Sequence, residues 1–225
     1  MNYKNVFEKL EVSKVIKPEI GYNLYTPLDL SATNTHLKKE KLDTAQDYEK
    51  YIQKVLDANN AKIAYGGYLE TRNLYKRSTV FNNEIENERN IHIGLDLWIN
   101  EDASIHAVLD GKVHSFQNNT ALGDYGPTII LEHNIDDFTF YSLYGHLNEA
   151  CLEHIKVGDK IKKGQQIANL GLPPINGDYA PHLHFQLILD MEGKKGDYPG
   201  VCSQDNLDFY KENCPDPNLL LKITF

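Results

Sequence analysis

The feature that most constrains the fold is a series of short strand-like runs that begins after Gly66-Gly67. The runs are rich in β-branched and aromatic residues, and turn residues close each of them. The spacing between runs leaves no room for crossover helices, so we expect an antiparallel β architecture. The predicted strands cover residues 105–109, 128–133, 138–144, 160–167 and 183–189.

The region before these strands is predicted to form an N-terminal extension, residues 1–65, with one helix at about 45–59. Its first 40 residues show no sustained period and indicate an irregular arm. In the helix, Thr44 and Asp47 resemble a capping box, and Asn59-Asn60 is a plausible stop. One apolar helix face is formed by Tyr48, Tyr51, Ile52, Val55 and Leu56.

Composition narrows the range of partners and locations. The chain of 225 residues has 23 Lys and Arg against 32 Asp and Glu, a net charge of −9, which argues against binding nucleic acid or an anionic membrane. No apolar run approaches the roughly 20 residues of a membrane span. With no signal peptide visible and three cysteines without CxxC spacing, we expect reduced thiols and a cytoplasmic location; an exported form stays open if a leader was removed.

The first of three histidine motifs lies in the predicted strand that begins near residue 182. Alternation places His182, His184 and Gln186 on one face of that strand and Leu183 and Phe185 on the other. Neutral imidazoles buried in a row without partners are costly. Such a face normally meets a metal, a carboxylate or solvent.

The other two motifs add a carboxylate and two further imidazoles. In His92-Ile-Gly-Leu-Asp96, Gly94 and its apolar neighbours favour extended structure, so the two polar side chains are expected to converge through a bend. In Tyr144-Gly-His146-Leu, His146 lies at the end of a strand, where a rigid sheet can present a reactive group to a cleft. Strict alternation places Tyr144 and His146 on the same face.

Together the motifs supply what a catalytic zinc site requires: three mixed nitrogen and oxygen ligands, an open position and spare acid–base groups. Their order, with His-x-Gly-x-Asp first, Tyr-Gly-His-Leu second and His-Leu-His-Phe third, resembles that of the lysostaphin-type (LytM-like) zinc metallopeptidases, peptidoglycan-type endopeptidases. The resemblance covers roughly residues 91–190 and includes the glycine-marked hairpin at 157–167.

The resemblance implies a mainly β (α+β) fold, an antiparallel β-sheet with a barrel-sandwich-like (duplicated hybrid motif) core, in a metallopeptidase domain spanning 66–225. It implies one Zn²⁺ per chain held by His92, Asp96 and His184, with His146 and His182 as the catalytic pair. The expected reaction is hydrolysis of a peptide bond by a zinc-activated water. The expected partner is a small glycine- or D-alanine-containing peptide of cell-wall type; the oligomeric state and the identity of the base stay open.

One residue differs from the family's usual motif, and another candidate site residue lies upstream of the region that resembles the family. Gln186 stands where the family usually has Glu; it can still accept a hydrogen bond but adds no charge, so weaker metal binding is expected. Upstream, the segment from Tyr65 to Tyr75 contains Arg72, which could bind a substrate carboxylate bidentately or pair with Glu70 or Glu88. Three aromatic residues are candidates to line a peptide cleft, namely Trp98, Tyr125 and Tyr144. Tyr144 is favoured because it lies close to His146 in the sequence.

Two other functions remain open from the sequence. A non-catalytic peptide-binding or regulatory module would keep zinc in a closed four-ligand site completed by His146 or His182. A histidine phosphocarrier of the sugar-phosphotransfer type would share the hairpin at 157–167. The carrier leaves Asp96 and the paired His182 and His184 unexplained.

Overall fold

The computed structural model describes residues 3–73, 88–100 and 102–224 and is mostly β with few helices. Helices α1–α4 span Tyr3–Lys9, Ala45–Ala58, Leu207–Asn213 and Asn218–Leu221. Strands β1–β12 span Tyr25–Pro27, Ile63–Gly66, Ile91–His92, Leu95–Trp98, Ser104–His106, Gly111–Asn119, Gly126–Ile135, Phe138–Gly145, Lys160–Ile161, Gln166–Asn169, His182–Ile188 and Val201–Cys202. None of the helices in these described ranges is long and apolar enough to cross a bilayer.

Eight strands form one large mixed sheet in the order β1-β2-β4-β11-β8-β7-β6-β9. Among the described strands this sheet is open, with β1 and β9 at its two ends, and does not close into a barrel. Two further pairs, β10 with β5 and β12 with β3, are antiparallel. The mainly antiparallel β core predicted from the sequence is confirmed. The parallel pair among the described strands, β1 with β2, lies in the extension, where the sequence predicted no strand.

The parallel pair exists because the extension contains a crossover helix. Helix α2 lies between β1 and β2, so the chain returns in the same direction before β2 pairs with β4. The three-residue strand β1 is too short to show a period, and residues 1–40 consequently indicated only an irregular arm. Both strands of the extension thus belong to the sheet that carries Asp96.

Helix α2 forms where the apolar spacing predicts a helix. Thr44 caps its start in a capping box with Asp47, and Ile52 and Leu56 are buried. These apolar side chains pack in one cluster with Trp98 at the end of β4. The extension therefore supports the strand from which the candidate site is built.

The central strand β11 separates two environments. Leu183, Phe185 and Leu187 lie in the main hydrophobic core, where the ring of Tyr144 packs edge-on against Phe185. The alternate residues point to the opposite face, as the sequence predicts. One face of β11 thus anchors the fold while the other presents polar side chains.

The predicted strand at 160–167 is divided. Its ends form β9 and β10, which pair with β6 and β5, and Gly164 lies between them at φ +77°. The left-handed backbone at this glycine ends the extended run.

Candidate metal centre

Sheet register brings the first and third histidine motifs together. In the antiparallel pair of β4 and β11, Asp96 lies directly opposite His184 and Trp98 lies opposite His182. His92 ends β3, and the chain bends at Gly94 before β4 begins, as the sequence predicts. The bend returns His92 to the same end of the sheet as the other two residues.

His92, Asp96 and His184 form a buried group within the described residues that is able to hold a metal ion. The Nε2 atom of His92 lies 2.9 Å from Nδ1 of His184 and 3.2 Å from Oδ1 of Asp96. Nδ1 of His184 lies 3.1 Å from the same carboxylate oxygen. Tetrahedral zinc with bonds of about 2.0–2.1 Å separates its ligand atoms by roughly 3.3 Å, so the spacing fits.

The outer partners of the two rings show that the three inner atoms are electron-pair donors. Nδ1 of His92 lies 2.9 Å from the carbonyl oxygen of Gly67, which only accepts, so this nitrogen carries the proton. Nε2 of His184 donates to Oε1 of Gln186 at 2.9 Å, because the Gln186 amide nitrogen donates to the carbonyl of Pro199. Burial lowers the pKa of His92 to about 4, which keeps its ring neutral. Three unshared electron pairs therefore point into one buried space, and a bound cation would be coordinated by all three.

Asp96 is held in its ionised form by its neighbours. Burial by itself would raise its pKa, but the pKa of this carboxyl lies well below its usual value, and the positive charge of the Arg72 guanidinium is one cause of the lowering. Arg72 donates from Nη1 to Oδ2 of Asp96 at 2.6 Å. The other oxygen, Oδ1, is left facing the two imidazoles.

His146 and His182 form a second pair beside these three residues. Their ring centroids lie 4.3 Å apart. Each ring donates its Nδ1 proton to a backbone carbonyl, that of Asn176 for His146 at 2.8 Å and that of Ala180 for His182 at 2.7 Å. Burial holds the pKa of His146 well below its usual value and also lowers the pKa of His182. Both rings are therefore neutral and keep an unprotonated Nε2.

The position of His146 corrects the face that alternation assigned to it. Gly145, not Tyr144, pairs with His184, so Tyr144 lies on the core face of the sheet. Strand β8 ends at Gly145, and His146 adopts a left-handed backbone at φ +61°. Because this turn breaks the alternation, the ring of His146 meets His182 instead of the core.

Two glycines permit the close packing of this site. A Cβ at Gly94 would lie 2.4 Å from Cε1 and 2.5 Å from Nε2 of His184. A Cβ at Gly67, whose φ is +102°, would collide with the guanidinium of Arg72 and with Nδ1 of His92. A side chain at either position would displace a residue of the candidate metal centre.

A cavity of about 200 Å³ opens over the five predicted site residues. Tyr125 lines it, and its hydroxyl lies 3.4 Å from Nε2 of His184. Tyr144 is fully buried in the core, where its hydroxyl accepts from the Val108 amide, so the preference for Tyr144 as the cleft aromatic was wrong. Trp98 both lines the cavity and stacks on His182 at 5.7 Å. From the extension, Leu30, Ala45, Tyr48 and Ile52 complete one wall.

The structure places Arg72 between two carboxylates. It pairs with Glu70, one of the two partners weighed from the sequence, and also with Asp96, which the sequence did not indicate. Its side chain is 2% exposed. Tyr75, in the same sequence segment, lies outside the described residues.

The chain is similar to known peptidases. A model of peptidase family M23 matches residues 90–197. The catalytic domain of the antimicrobial peptidase lysostaphin from Staphylococcus simulans is 30% identical to the chain, which covers 80% of that domain with 54% of its own length, at a TM-score of 0.38.

Two further solved structures are similar. LytU is 29% identical, with coverage of 56% of this chain and 75% of LytU, at a TM-score of 0.36. A structure of lysostaphin itself from Staphylococcus simulans is 28% identical at a TM-score of 0.35; 54% of this chain spans 44% of that chain, less than half its length. No curated protein sequence matches the chain.

Proposed function

Because the chain belongs to peptidase family M23 through its residues 90–197, we propose that it is a zinc-dependent metalloendopeptidase. The proposed substrate is a small peptide of cell-wall type that contains glycine or D-alanine. The observation that carries the proposal is the convergence of three unprotonated donor atoms, from His92, Asp96 and His184, beside a pair of neutral imidazoles.

His92, Asp96 and His184 would hold the ion through Nε2, Oδ1 and Nδ1, the three atoms that face one another. When bound, zinc would lower the pKa of an attacking water to about 7 and polarise the peptide carbonyl. The outer hydrogen bonds to Gly67 and Gln186 hold the two ligand rings in the required tautomers.

His146 and His182 would move the protons. Each has a fixed Nδ1–H and an Nε2 electron pair, so one would accept the proton of the attacking water at Nε2, and that same proton would then pass to the leaving amine, directly or through Nε2 of the second ring. The lowered pKa of both groups keeps them in the basic form at neutral pH. The fixed Nδ1 partners orient the rings without competing for Nε2.

The cavity favours a peptide with small side chains. Its volume of about 200 Å³ is below the roughly 300 Å³ at which pockets for larger ligands begin. The rings of four aromatic residues line the cavity, namely Trp98, Tyr125, Tyr179 and Tyr198. Glycine and alanine residues suit this space.

The test is a metal assay on the purified chain together with hydrolysis of a panel of glycyl and D-alanyl peptides. We expect one zinc per chain and cleavage within the panel. His146→Ala should retain zinc and lose about 10²- to 10⁴-fold in kcat. His154→Ala is the matched control, since that imidazole is 91% exposed and should leave turnover unchanged.

The rival functions give different results. Loss of zinc in His146→Ala would favour a closed structural site and a non-catalytic module. Purification without stoichiometric zinc, combined with labelling of a histidine by a phosphoryl donor, would favour a phosphocarrier.

A further inference from the structure

A chain of buried charges links the N-terminal part of the protein to the candidate metal centre. Glu70, Arg72 and Asp96 have side-chain exposures of 10%, 2% and 1%. The guanidinium lies between the two carboxylates, donating from Nε to Oε2 of Glu70 and from Nη1 to Oδ2 of Asp96. Two separate donor positions of one guanidinium therefore join two carboxylates.

Hydrogen bonds also hold the backbone around Glu70, Arg72 and Asp96. The Arg72 amide donates to the carbonyl of Asn90 at 2.9 Å, and the His92 amide donates to the carbonyl of Glu70 at 3.0 Å. The second oxygen of Glu70, Oε1, accepts from the amide of Leu30 at 2.9 Å. The connection thus runs from the cleft wall at Leu30 through the side chains of Glu70 and Arg72 to Asp96.

The geometry selects one oxygen of Asp96 for the metal. Arg72 occupies Oδ2, so Oδ1 alone faces His92 and His184 at 3.2 and 3.1 Å. A planar guanidinium can bond two carboxylates at fixed angles, whereas the ammonium of Lys is a point charge on a flexible stem. Holding Asp96 in this orientation depends on the shape of Arg as well as on its charge.

Glu70 offsets the positive charge that Arg72 places beside the candidate metal centre. An uncompensated cation beside a ligand carboxylate would oppose the binding of a divalent ion, because charges interact strongly in a poorly solvated site. The negative charge of Glu70 offsets the positive charge of the guanidinium in the field at the metal position. Arg72 can therefore hold Asp96 while the Glu70 and Arg72 pair adds little net charge.

We propose that Arg72 is a positioning residue that fixes Asp96 with Oδ1 toward the metal, and that Glu70 compensates its charge. The identity of the ion rests on the proposed function; the coupling of Glu70, Arg72 and Asp96 concerns this chain's own residues. Replacing Arg72 or Glu70 should therefore change the affinity for the metal and its coordination. The effect of replacing one of these residues should depend on whether the other is present.

The experiment measures Zn²⁺ affinity of the full chain by chelator competition and the visible spectrum of its Co²⁺ form. Arg72→Met should weaken Zn²⁺ binding by about 10- to 100-fold and alter the Co²⁺ bands, and Arg72→Lys should not restore either. Glu70→Gln removes the negative charge and keeps one of the two acceptor oxygens, so it should weaken binding by about tenfold. In the Arg72→Met background, Glu70→Gln should have little further effect.

Lys112→Met is the control, since it removes a remote ion pair with Glu132. Thermal unfolding of every variant separates folding from metal affinity, and Glu70→Gln keeps the test valid if Arg72→Met does not fold. Wild-type affinity and an unchanged Co²⁺ spectrum in both Glu70→Gln and Arg72→Lys would overturn the inference, even if melting temperatures fell. A wild-type chain that binds no zinc would overturn the proposed function itself.

Discussion

Replacing Gly94 by Ala tests how tightly the candidate metal centre is packed. Gly94 lies in the bend between β3 and β4, and its Cβ position is 2.4 Å from Cε1 of His184, 2.5 Å from Nε2 and 3.1 Å from the carbonyl oxygen of Phe185. Its φ lies outside the left-handed region, so alanine meets no backbone penalty of that kind. The cost comes from the contact with the ring.

The magnitude follows from these distances. Carbon atoms pack at about 3.5–4.0 Å, so the His184 ring must retreat by roughly 1 Å. That movement disturbs the 2.9 Å contact with Gln186 and the 3.1 Å approach to Asp96. Overpacking of this kind costs about 1–3 kcal/mol in the free energy of unfolding. A ligand displaced by 1 Å should also weaken zinc binding by about 10- to 100-fold and lower the hydrolysis rate by about 10²-fold.

The assay combines urea unfolding of the metal-free chain with chelator competition for zinc. Gly158→Ala provides a control, because its Cβ meets no atom within 4 Å while its φ of +90° still strains alanine. That control should lose stability and retain the affinity for zinc. Wild-type zinc affinity in Gly94→Ala would refute the packing of His184 described above.

Three further predictions concern ligand support, pH and metal removal. Gln186→Glu should raise zinc affinity in chelator competition, because a carboxylate makes His184 a more basic ligand, and should lower metal-free stability, because it replaces the donor to Pro199. Burial lowers the pKa of His133 from an ordinary 6.5 to about 4, so between these two pH values the unfolded chain binds a proton at this residue that the folded chain does not. The neutral ring therefore contributes up to about 3 kcal/mol to the free energy of unfolding above pH 6.5, and this contribution is lost as the pH falls toward 4. In urea unfolding across this range His133→Gln should show a shallower pH slope than wild type, and an equal slope would contradict the assignment. Chelation should lower the melting temperature; at free zinc 100 times Kd the bound ion contributes about 2.7 kcal/mol, and an unchanged melting temperature would argue against a bound ion.

The sequence predicts the parts of the site that depend on local spacing. Alternation places His182, His184 and Gln186 on one face of β11, and the glycine between His92 and Asp96 predicts the bend that brings them together. These inferences hold because each depends on two to four consecutive residues whose backbone geometry is regular.

The sequence did not predict contacts that depend on how distant segments of the chain pair or pack, and it assigned Tyr144 to the wrong face of its strand. The parallel pairing of β1 with β2 and the contact of Arg72 with Asp96 join residues that no short pattern connects. Tyr125 reaches His184, while Tyr144, adjacent to a motif, points into the core because Gly145 is the residue paired with His184. A shift of one residue reverses the face of a side chain, so only the pairing itself decides such cases.

The chemical identity of each imidazole is set by groups that no sequence pattern reveals. His92 and His146 donate Nδ1–H to backbone carbonyls and present Nε2, whereas His184 donates Nε2–H to Gln186 and presents Nδ1. A carbonyl is available at every residue type, so nothing in the composition of the loops marks Gly67 or Asn176 as partners. Which nitrogen faces the candidate metal position is therefore decided by how the loops close over the sheet. The motif selects the residue types, and the backbone of the surrounding loops determines which atom of each is free to bind a metal or accept a proton.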